Sequence, residues 1–224
     1  MKRILILFAV LFGLFSIWLS IRVKLVERLI IAVNDPPHGK NWKNEVEKQS
    51  RMYSKSKDII FLGDSHIEQC EWQEIFPEYS VGNRGVGGET SGALLIRLDA
   101  AVKKETKSVV LQIGVNDILS GLKPKDVDRN YKEIIRNLKI KGCQVLVTIP
   151  FLTRYYPDKN IEIEKLNNLL KTSLRKEKVD YLDLNPTIAP KGELLTKFTS
   201  DGVHLNTDGY KVWIDSIKSD LDLK

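Results

Sequence analysis

Cysteine and histidine are both scarce in this sequence. Its 224 residues include two cysteines, Cys70 and Cys143, and three histidines. Two cysteines cannot form a disulfide framework, and no Cys-x-x-Cys or Cys/His spacing typical of a zinc site is present. We therefore expect no metal site, and we interpret both thiols as small buried apolar groups. The alternative of one disulfide between the two cysteines is left open if the domain is exported.

Little of the net positive charge lies beyond the N-terminus. The formal net charge is +6, from 35 basic and 29 acidic residues. Residues 1–33 alone hold a net charge of +4, which leaves +2 for the rest of the chain. No RNP-like, helix-turn-helix or zinc-finger pattern accompanies this charge. The sequence therefore predicts no nucleic-acid partner, because most of the net positive charge lies at the N-terminus, outside the part that would fold.

A long run without charge begins the chain. Lys2 and Arg3 precede residues 4–21, which contain no charged side chain. A helix of this length would extend about 27 Å, close to the thickness of a bilayer core, about 30 Å. Residues 1–24 are therefore interpreted as a transmembrane signal anchor or a signal peptide. A buried helix is disfavoured because the run is apolar on every face.

The flank of this run favours an uncleaved anchor. No Ala-x-Ala-like cleavage site and no lipobox-like cysteine follows it. We expect a membrane-anchored chain with an exported, periplasmic or extracytoplasmic domain, or a secreted domain if the N-terminus is cleaved. Arg22, Lys24 and Arg28 lie on the far flank, so the positive-inside rule leaves the orientation open. Residues 25–56 are interpreted as a linker, broken by two prolines, and a leading amphipathic helix.

The remainder of the chain alternates between short apolar runs and helical patterns. Five runs have the composition of buried strands: DIIFLGDS, YSVGNRG, SVVLQIGVND, CQVLVTIP and VDYLDL. Apolar strands that alternate with helices form parallel sheets covered on both faces. We therefore predict a three-layer α/β/α sandwich with a five-stranded parallel sheet. Ligands of such sheets bind beyond the carboxyl ends of the strands.

Polar residues and glycines follow several of these strands. Ser65 comes directly after the first strand, where it can either cap the next helix or act as a nucleophile. A nucleophile needs a base, and His204 can supply it, with Asp201 three residues earlier to orient the ring. The Ser65 N–H, a glycine of GVGGET and the Asn116 amide can act as oxyanion donors. Each of these features alone is also typical of an ordinary turn.

Four sequence blocks follow one another in a fixed order: GDS, NRGVGGETS, GVND and DGVHLN, over about residues 57–217. Together they resemble the SGNH hydrolases, also called GDSL esterases/lipases. The match is strongest to the branch similar to platelet-activating-factor acetylhydrolase and bacterial lysophospholipase/arylesterases. The resemblance implies a flavodoxin-like fold for an SGNH hydrolase domain spanning residues 57–224. It does not depend on a G-x-S-x-G elbow or an in-register G-x-G-x-x-G motif, both of which are absent.

The resemblance also implies a role for each of five residues. It implies a catalytic triad of Ser65, His204 and Asp201, and an oxyanion hole of the Ser65 N–H, Gly88 and Asn116. One position departs from the motif, because His66 stands where an aliphatic residue is usual. We expect His66 to alter the pocket rim without acting as the base.

The function implied is cleavage of carboxylic esters without a cofactor, through an acyl-enzyme. Small acyl or acetyl esters of lipids or envelope carbohydrates are the expected substrates. Two alternatives stay open: an O-acyltransferase that uses the same site, and a catalytically silent envelope binding module. Four aromatic residues either line an acyl or sugar pocket or pack in the core and loops: Trp72, Phe76, Tyr155 and Tyr156. The oligomeric state is not indicated.

Overall fold

The computed structural model describes residues 39–53 and 55–220. The predicted anchor at residues 1–24 and His38 lie outside the described residues. Within the two described ranges, no helix combines the length and the apolar character needed to cross a bilayer.

The described chain alternates between helices and strands. In order they are α1 (Gly39–Met52), β1 (Ile59–Gly63), α2 (Ser65–Glu68), α3 (Trp72–Ile75), β2 (Val81–Gly85), α4 (Ser91–Ala101), β3 (Ser108–Gln112), α5 (Val115–Leu119), α6 (Pro124–Ile140), β4 (Gln144–Thr148), α7 (Asn160–Glu177), β5 (Asp180–Leu182), α8 (Asn185–Ile188) and α9 (Thr207–Asp220). Short 3₁₀ turns occupy Pro157–Lys159 and Thr196–Phe198.

The five strands form one parallel sheet in the order β2-β1-β3-β4-β5. Ile59 of β1 pairs with Val81 of β2 and with Ser108 of β3, so these three strands begin at the same level of the sheet. The order is that of flavodoxin-like sheets, and the predicted parallel sheet is confirmed. Connections to β2 and β3 leave on opposite sides of β1. The carboxyl ends of β1 and β3 therefore flank the point where such sheets bind ligands.

The helices lie on both faces of this sheet. Parallel strands are joined by right-handed crossovers, and β2 lies on one side of β1 whereas β3, β4 and β5 follow on the other. The helices between β1 and β2 therefore cover one face, and α4, α6 and α7 cover the opposite face. α9 joins the first group, where Trp213 meets Trp72 edge to face with ring centroids 5.3 Å apart.

The segment after Ser65 is not one continuous helix. The structure contains two short helices, α2 and α3, with a break between them. The Asn83 side-chain amide donates hydrogen bonds to the carbonyls of Ile67, Glu68 and Cys70. These bonds satisfy the carbonyl groups at the end of α2, which explains why the helix ends there.

Two aromatic residues considered for a pocket lie in the core instead. Trp72 stacks on Phe61 with ring centroids 3.9 Å apart, and Phe76 packs on the same ring. Both Trp72 and Phe76 are buried. The hydrophobic cluster between sheet and helices therefore accounts for these two residues. Cys143 is buried and Cys70 half-buried, and both are free thiols.

Gly85→Ala is expected to destabilise the fold by about 3 kcal/mol. A Cβ at residue 85 would lie 2.1 Å from the backbone nitrogen of Glu68, and backbone cannot move aside easily. The matched control is Gly87→Ala, whose Cβ would meet the carboxylate end of the Glu68 side chain, which can rotate away. Urea unfolding of both variants measures the difference. Equal unfolding midpoints would contradict the close approach of α2 to β2.

Candidate active site

The turn after β1 decides between the two interpretations of Ser65. Asp64, and not Ser65, is the N-cap of α2, and its Oδ1 accepts the backbone N–H of His66 at 3.0 Å. The turn needs Gly63, because a Cβ there would lie 1.8 Å from the Gln112 carbonyl oxygen. Since Asp64 caps the helix, the Ser65 hydroxyl is available for another partner.

That partner is a histidine 139 residues later in the chain. Ser65 Oγ lies 2.9 Å from His204 Nε2. His204 Nδ1 lies 2.6 Å from Asp201 Oδ2. Because a carboxylate only accepts, Nδ1 carries the proton toward Asp201, and Nε2 is left to accept the Ser65 O–H. The structure therefore brings the three residues of the predicted triad together in hydrogen-bonding order.

Asp201 is held as a carboxylate by its own loop. Its Oδ1 accepts the backbone N–H groups of Val203 and His204, each at 2.8 Å. Partial burial raises the pKa of the Asp201 carboxyl, but the bonds from the His204 ring and these two N–H groups lower it more. The resulting pKa is about 2. Asp201 therefore stays ionised at neutral pH and stabilises a positive charge on His204.

The loop that carries both residues is tied to the segment after β4. The Gly202 carbonyl accepts the backbone N–H groups of Arg154 and Tyr155, at 2.7 and 3.0 Å. Gly202 has a φ of 84°, and a Cβ there would come within 3.0 Å of the Tyr155 backbone. The Tyr155 ring itself is 66% exposed and packs edge to face on Tyr156. The tyrosine pair thus lies beside this loop at the surface.

The turn after β2 supplies the glycine expected in the oxyanion hole. Gly88 has a φ of 73°, in a turn closed by the Glu89 N–H donating to the Val86 carbonyl at 3.2 Å. That bond does not use the Gly88 N–H. The Val86 N–H in turn donates to the Gly63 carbonyl at 3.0 Å. This bond holds the turn against the end of β1, two residues before Ser65.

Asn116 lies on α5, at the end of β3. Its Nδ2 donates to the Glu89 carbonyl at 3.1 Å, next to Gly88, and the side chain is half-exposed. The amide has a second N–H that this contact does not use. The neighbouring Asp117 is buried and accepts the Ser91 N–H and hydroxyl at the start of α4. The ends of β2 and β3 are therefore joined at the position where oxyanion donors are expected.

Comparison with known families identifies the family of this chain. The pattern of the GDSL-like lipase/acylhydrolase family matches residues 61–212, about two thirds of the chain. The chain belongs to the GDSL-like lipase/acylhydrolase family. This confirms the resemblance seen in the four sequence blocks. Lipases and acylhydrolases are enzymes that cleave acyl esters, so membership places the chain among the carboxylic ester hydrolases.

Known relatives of this GDSL chain cover it to different extents. An N-acylneuraminate cytidylyltransferase of Streptococcus agalactiae is 26% identical over 77% of the chain, which spans only 42% of that relative. Platelet-activating factor acetylhydrolase IB subunit alpha2 of Gallus gallus is 27% identical over 69% of the chain and 71% of the relative. A solved structure described as a platelet activating factor from Streptococcus pneumoniae has a TM-score of 0.71 at 22% identity, covering 89% and 98% of the two chains. At that identity the structure confirms the fold alone.

A buried arginine behind the site was missed by sequence reasoning. Arg97 of α4 pairs with Glu89, and its Nε lies 2.5 Å from Glu89 Oε1. It also donates to the Arg84 carbonyl at 2.8 Å and approaches the Gly63 carbonyl at 3.4 Å. Both charged side chains are fully buried. One guanidinium therefore connects the end of β1, the end of β2 and the turn that carries Gly88.

The leading helix α1 completes this buried group. Trp42 Nε1 donates to Glu89 Oε1 at 2.8 Å, and Gln49 Oε1 accepts from Arg97 Nη1 at 2.8 Å. The only sequence signal is that Arg97 falls on the apolar face of α4, three residues after Leu94. No pattern could link it to Trp42. α1 also precedes the part of the chain matched by the GDSL family.

His66 lies deeper than expected for this GDSL protein. It was expected at the pocket rim, but its side chain is 2% exposed. Nδ1 lies 3.3 Å from Asp64 Oδ1, and Nε2 lies 3.1 Å from the Val203 carbonyl oxygen. The ring also packs edge to face on Phe151. His66 therefore joins the Ser65 turn to the His204 loop from below.

Arg97→Met is expected to destabilise the protein by about 3–5 kcal/mol, because it leaves the Glu89 carboxylate buried and unpaired. The double variant Arg97→Met with Glu89→Gln removes that charge and should recover a large part of the loss. Urea unfolding of the parent chain and both variants measures the free energies. A double variant less stable than the single one would show that burial of an unpaired charge is not the cause.

Proposed function

We propose that this chain is a serine ester hydrolase with Ser65 as its nucleophile. The observation that carries the proposal is the contact of 2.9 Å between Ser65 Oγ and His204 Nε2, with Asp201 2.6 Å behind the ring. Membership of the GDSL-like lipase/acylhydrolase family supports the same reaction class. No cofactor is needed for this chemistry.

In the first step His204 acts as the general base. Nε2 accepts the Ser65 proton as Oγ attacks the ester carbonyl carbon, and Asp201 stabilises the imidazolium that forms. Negative charge then develops on the carbonyl oxygen. The Ser65 N–H at the start of α2, the Gly88 N–H and the unused Asn116 N–H are proposed as its donors. The imidazolium then protonates the alkoxy oxygen of the ester as its bond to the carbonyl carbon breaks, so that the alcohol leaves and the acyl-enzyme remains.

The second step releases the acyl group. His204 removes a proton from water, and the resulting nucleophile attacks the acyl-enzyme. The same oxyanion donors stabilise the second tetrahedral intermediate. Collapse of that intermediate returns the proton to Ser65 and frees the carboxylic acid. The His204 side chain is 27% exposed, so water can reach the ring.

We propose small acyl or acetyl esters of lipids or envelope carbohydrates as substrates. The names of two relatives support this class: one is a platelet-activating factor acetylhydrolase subunit and the other is an N-acylneuraminate cytidylyltransferase. Cytidylyl transfer is not carried over, because this chain spans only 42% of that relative. The exposed Tyr155 and Tyr156 are proposed to line the alcohol side of the site.

Ser65→Ala and His204→Ala are each expected to lower kcat on p-nitrophenyl acetate by about 10⁴-fold or more, since each removes a member of the triad. Asn116→Ala should lower kcat by about 10²- to 10³-fold through loss of one oxyanion donor. Ser120→Ala, an exposed serine at the end of α5, is the matched control.

Three results, from hydrolysis, labelling and a series of esters, would count against the proposed nucleophile or the proposed substrate. Equal hydrolysis by the parent chain, Ser65→Ala and His204→Ala would remove Ser65 as the nucleophile. Failure of a fluorophosphonate probe to label Ser65 would favour a silent binding module. In the same assay, esters from acetyl to palmitoyl should show rates that fall with acyl length. A maximum at long chains would contradict a small-acyl substrate.

We also propose that the N-terminal segment attaches the enzyme to a membrane with its domain exported. The support is the uncharged run at residues 4–21 after two basic residues. The full chain is expected in the membrane fraction after alkaline carbonate washing, and a chain without residues 1–24 in the supernatant. Release of the full chain by carbonate, with its N-terminus intact, would contradict the anchor.

A further inference from the structure

His66 occupies a position in which both ring nitrogens face acceptors. Nε2 lies 3.1 Å from the Val203 carbonyl oxygen, which cannot donate. Nδ1 lies 3.3 Å from Asp64 Oδ1, a carboxylate oxygen that already accepts the His66 backbone N–H. A neutral imidazole has a single N–H and can satisfy only one of these acceptors. An imidazolium donates to both.

The surroundings of Asp64 also favour a positive charge at this place. The Asp64 side chain is 1% exposed, and among the described residues its Oδ2 has no hydrogen-bond partner. A buried carboxylate without compensation is costly, and a cation beside it lowers that cost. Arg97 lies on the far side of the β1 end, where it is already paired with Glu89. His66 contacts Asp64 directly and is able to carry such a charge.

The other side chains in contact with His66 donate neither to Asp64 Oδ1 nor to the Val203 carbonyl. The Phe151 ring contacts it edge to face. Tyr210 of α9 donates its hydroxyl to the His66 carbonyl at 2.7 Å, and burial raises the pKa of that phenol, so it stays neutral. The His204 ring lies with its centroid 5.3 Å away, and its Nδ1 faces Asp201.

We propose that His66 is a positioning residue whose imidazolium clamps the Ser65 turn to the His204 loop. One end of the ring holds Asp64, the residue before the nucleophile, and the other holds Val203, the residue before the base. The clamp spans the gap that the Ser65 to His204 hydrogen bond must also span. Loss of the His66 proton removes one of its two bonds and loosens that alignment. This inference rests on the proposed function for its kinetic readout.

The kinetic test compares His66→Gln and His66→Leu with the parent chain. The clamp predicts that the parent kcat/KM falls at alkaline pH, because a ring with a single N–H can donate to only one of Asp64 and Val203. Gln keeps a neutral donor toward Val203, so this variant should retain kcat within about 10-fold and lose the alkaline decline. Leu offers neither bond, so kcat should fall by about 10²-fold with KM nearly unchanged. A parent-like alkaline decline in both variants would overturn the clamp.

A second readout does not depend on activity. The chain has three histidines, so ring ¹⁵N NMR resonances of the full chain can be assigned by replacing His38, His66 and His204 in turn. His66 is expected to be doubly protonated at neutral pH in the Ser65→Ala background, where catalysis is absent. A neutral ring at that pH would overturn the proposal. If the ring is charged but no variant or parent hydrolyses esters, the proposed function fails and the charged clamp stands.

Discussion

The hydrogen bond between Ser65 and His204 depends on two segments, 139 residues apart, meeting at one edge of the sheet. Nothing local enforces that meeting. It follows from α9, whose Trp213 packs on Trp72 and whose Tyr210 donates to the His66 carbonyl, and from the contact of the His66 ring with the Val203 carbonyl. The His204 loop is then fixed from outside by Gly202 against Tyr155. Packing of the whole domain therefore sets a distance that catalysis would need within a fraction of an ångström.

Buried polar groups beneath this edge of the sheet hold the turns at the strand ends in place. The Glu89–Arg97 pair ties the turn with Gly88 to the end of β1, and Asp117 ties α5 to the start of α4. Such groups are costly to bury unless every member is paired. Here the bonds run to backbone carbonyls and N–H groups at the strand ends. They therefore fix the backbone conformation of the turns.

Most of the sheet could be predicted from the sequence, because strands buried on both faces leave continuous apolar runs. The residues of the site were also predictable, since Ser65, Asn116 and His204 each follow a strand or stand in a polar loop. The break between α2 and α3 was not, because it depends on Asn83, a side chain of the next strand. The burial of His66 and the roles of Arg97 and Trp42 depend on contacts between distant segments. No local period or motif encodes those contacts.

The hydrogen bond from Trp42 to Glu89 makes α1 a structural part of the domain, although the family pattern begins only at residue 61. A protein shortened to begin at residue 57 would lose both Trp42 and Gln49 from around the Glu89–Arg97 pair. Water would then reach an ion pair that the intact protein keeps dry. Because the Glu89 carbonyl also accepts a hydrogen bond from Asn116, the disturbance would reach the proposed oxyanion donors without any change in those residues themselves.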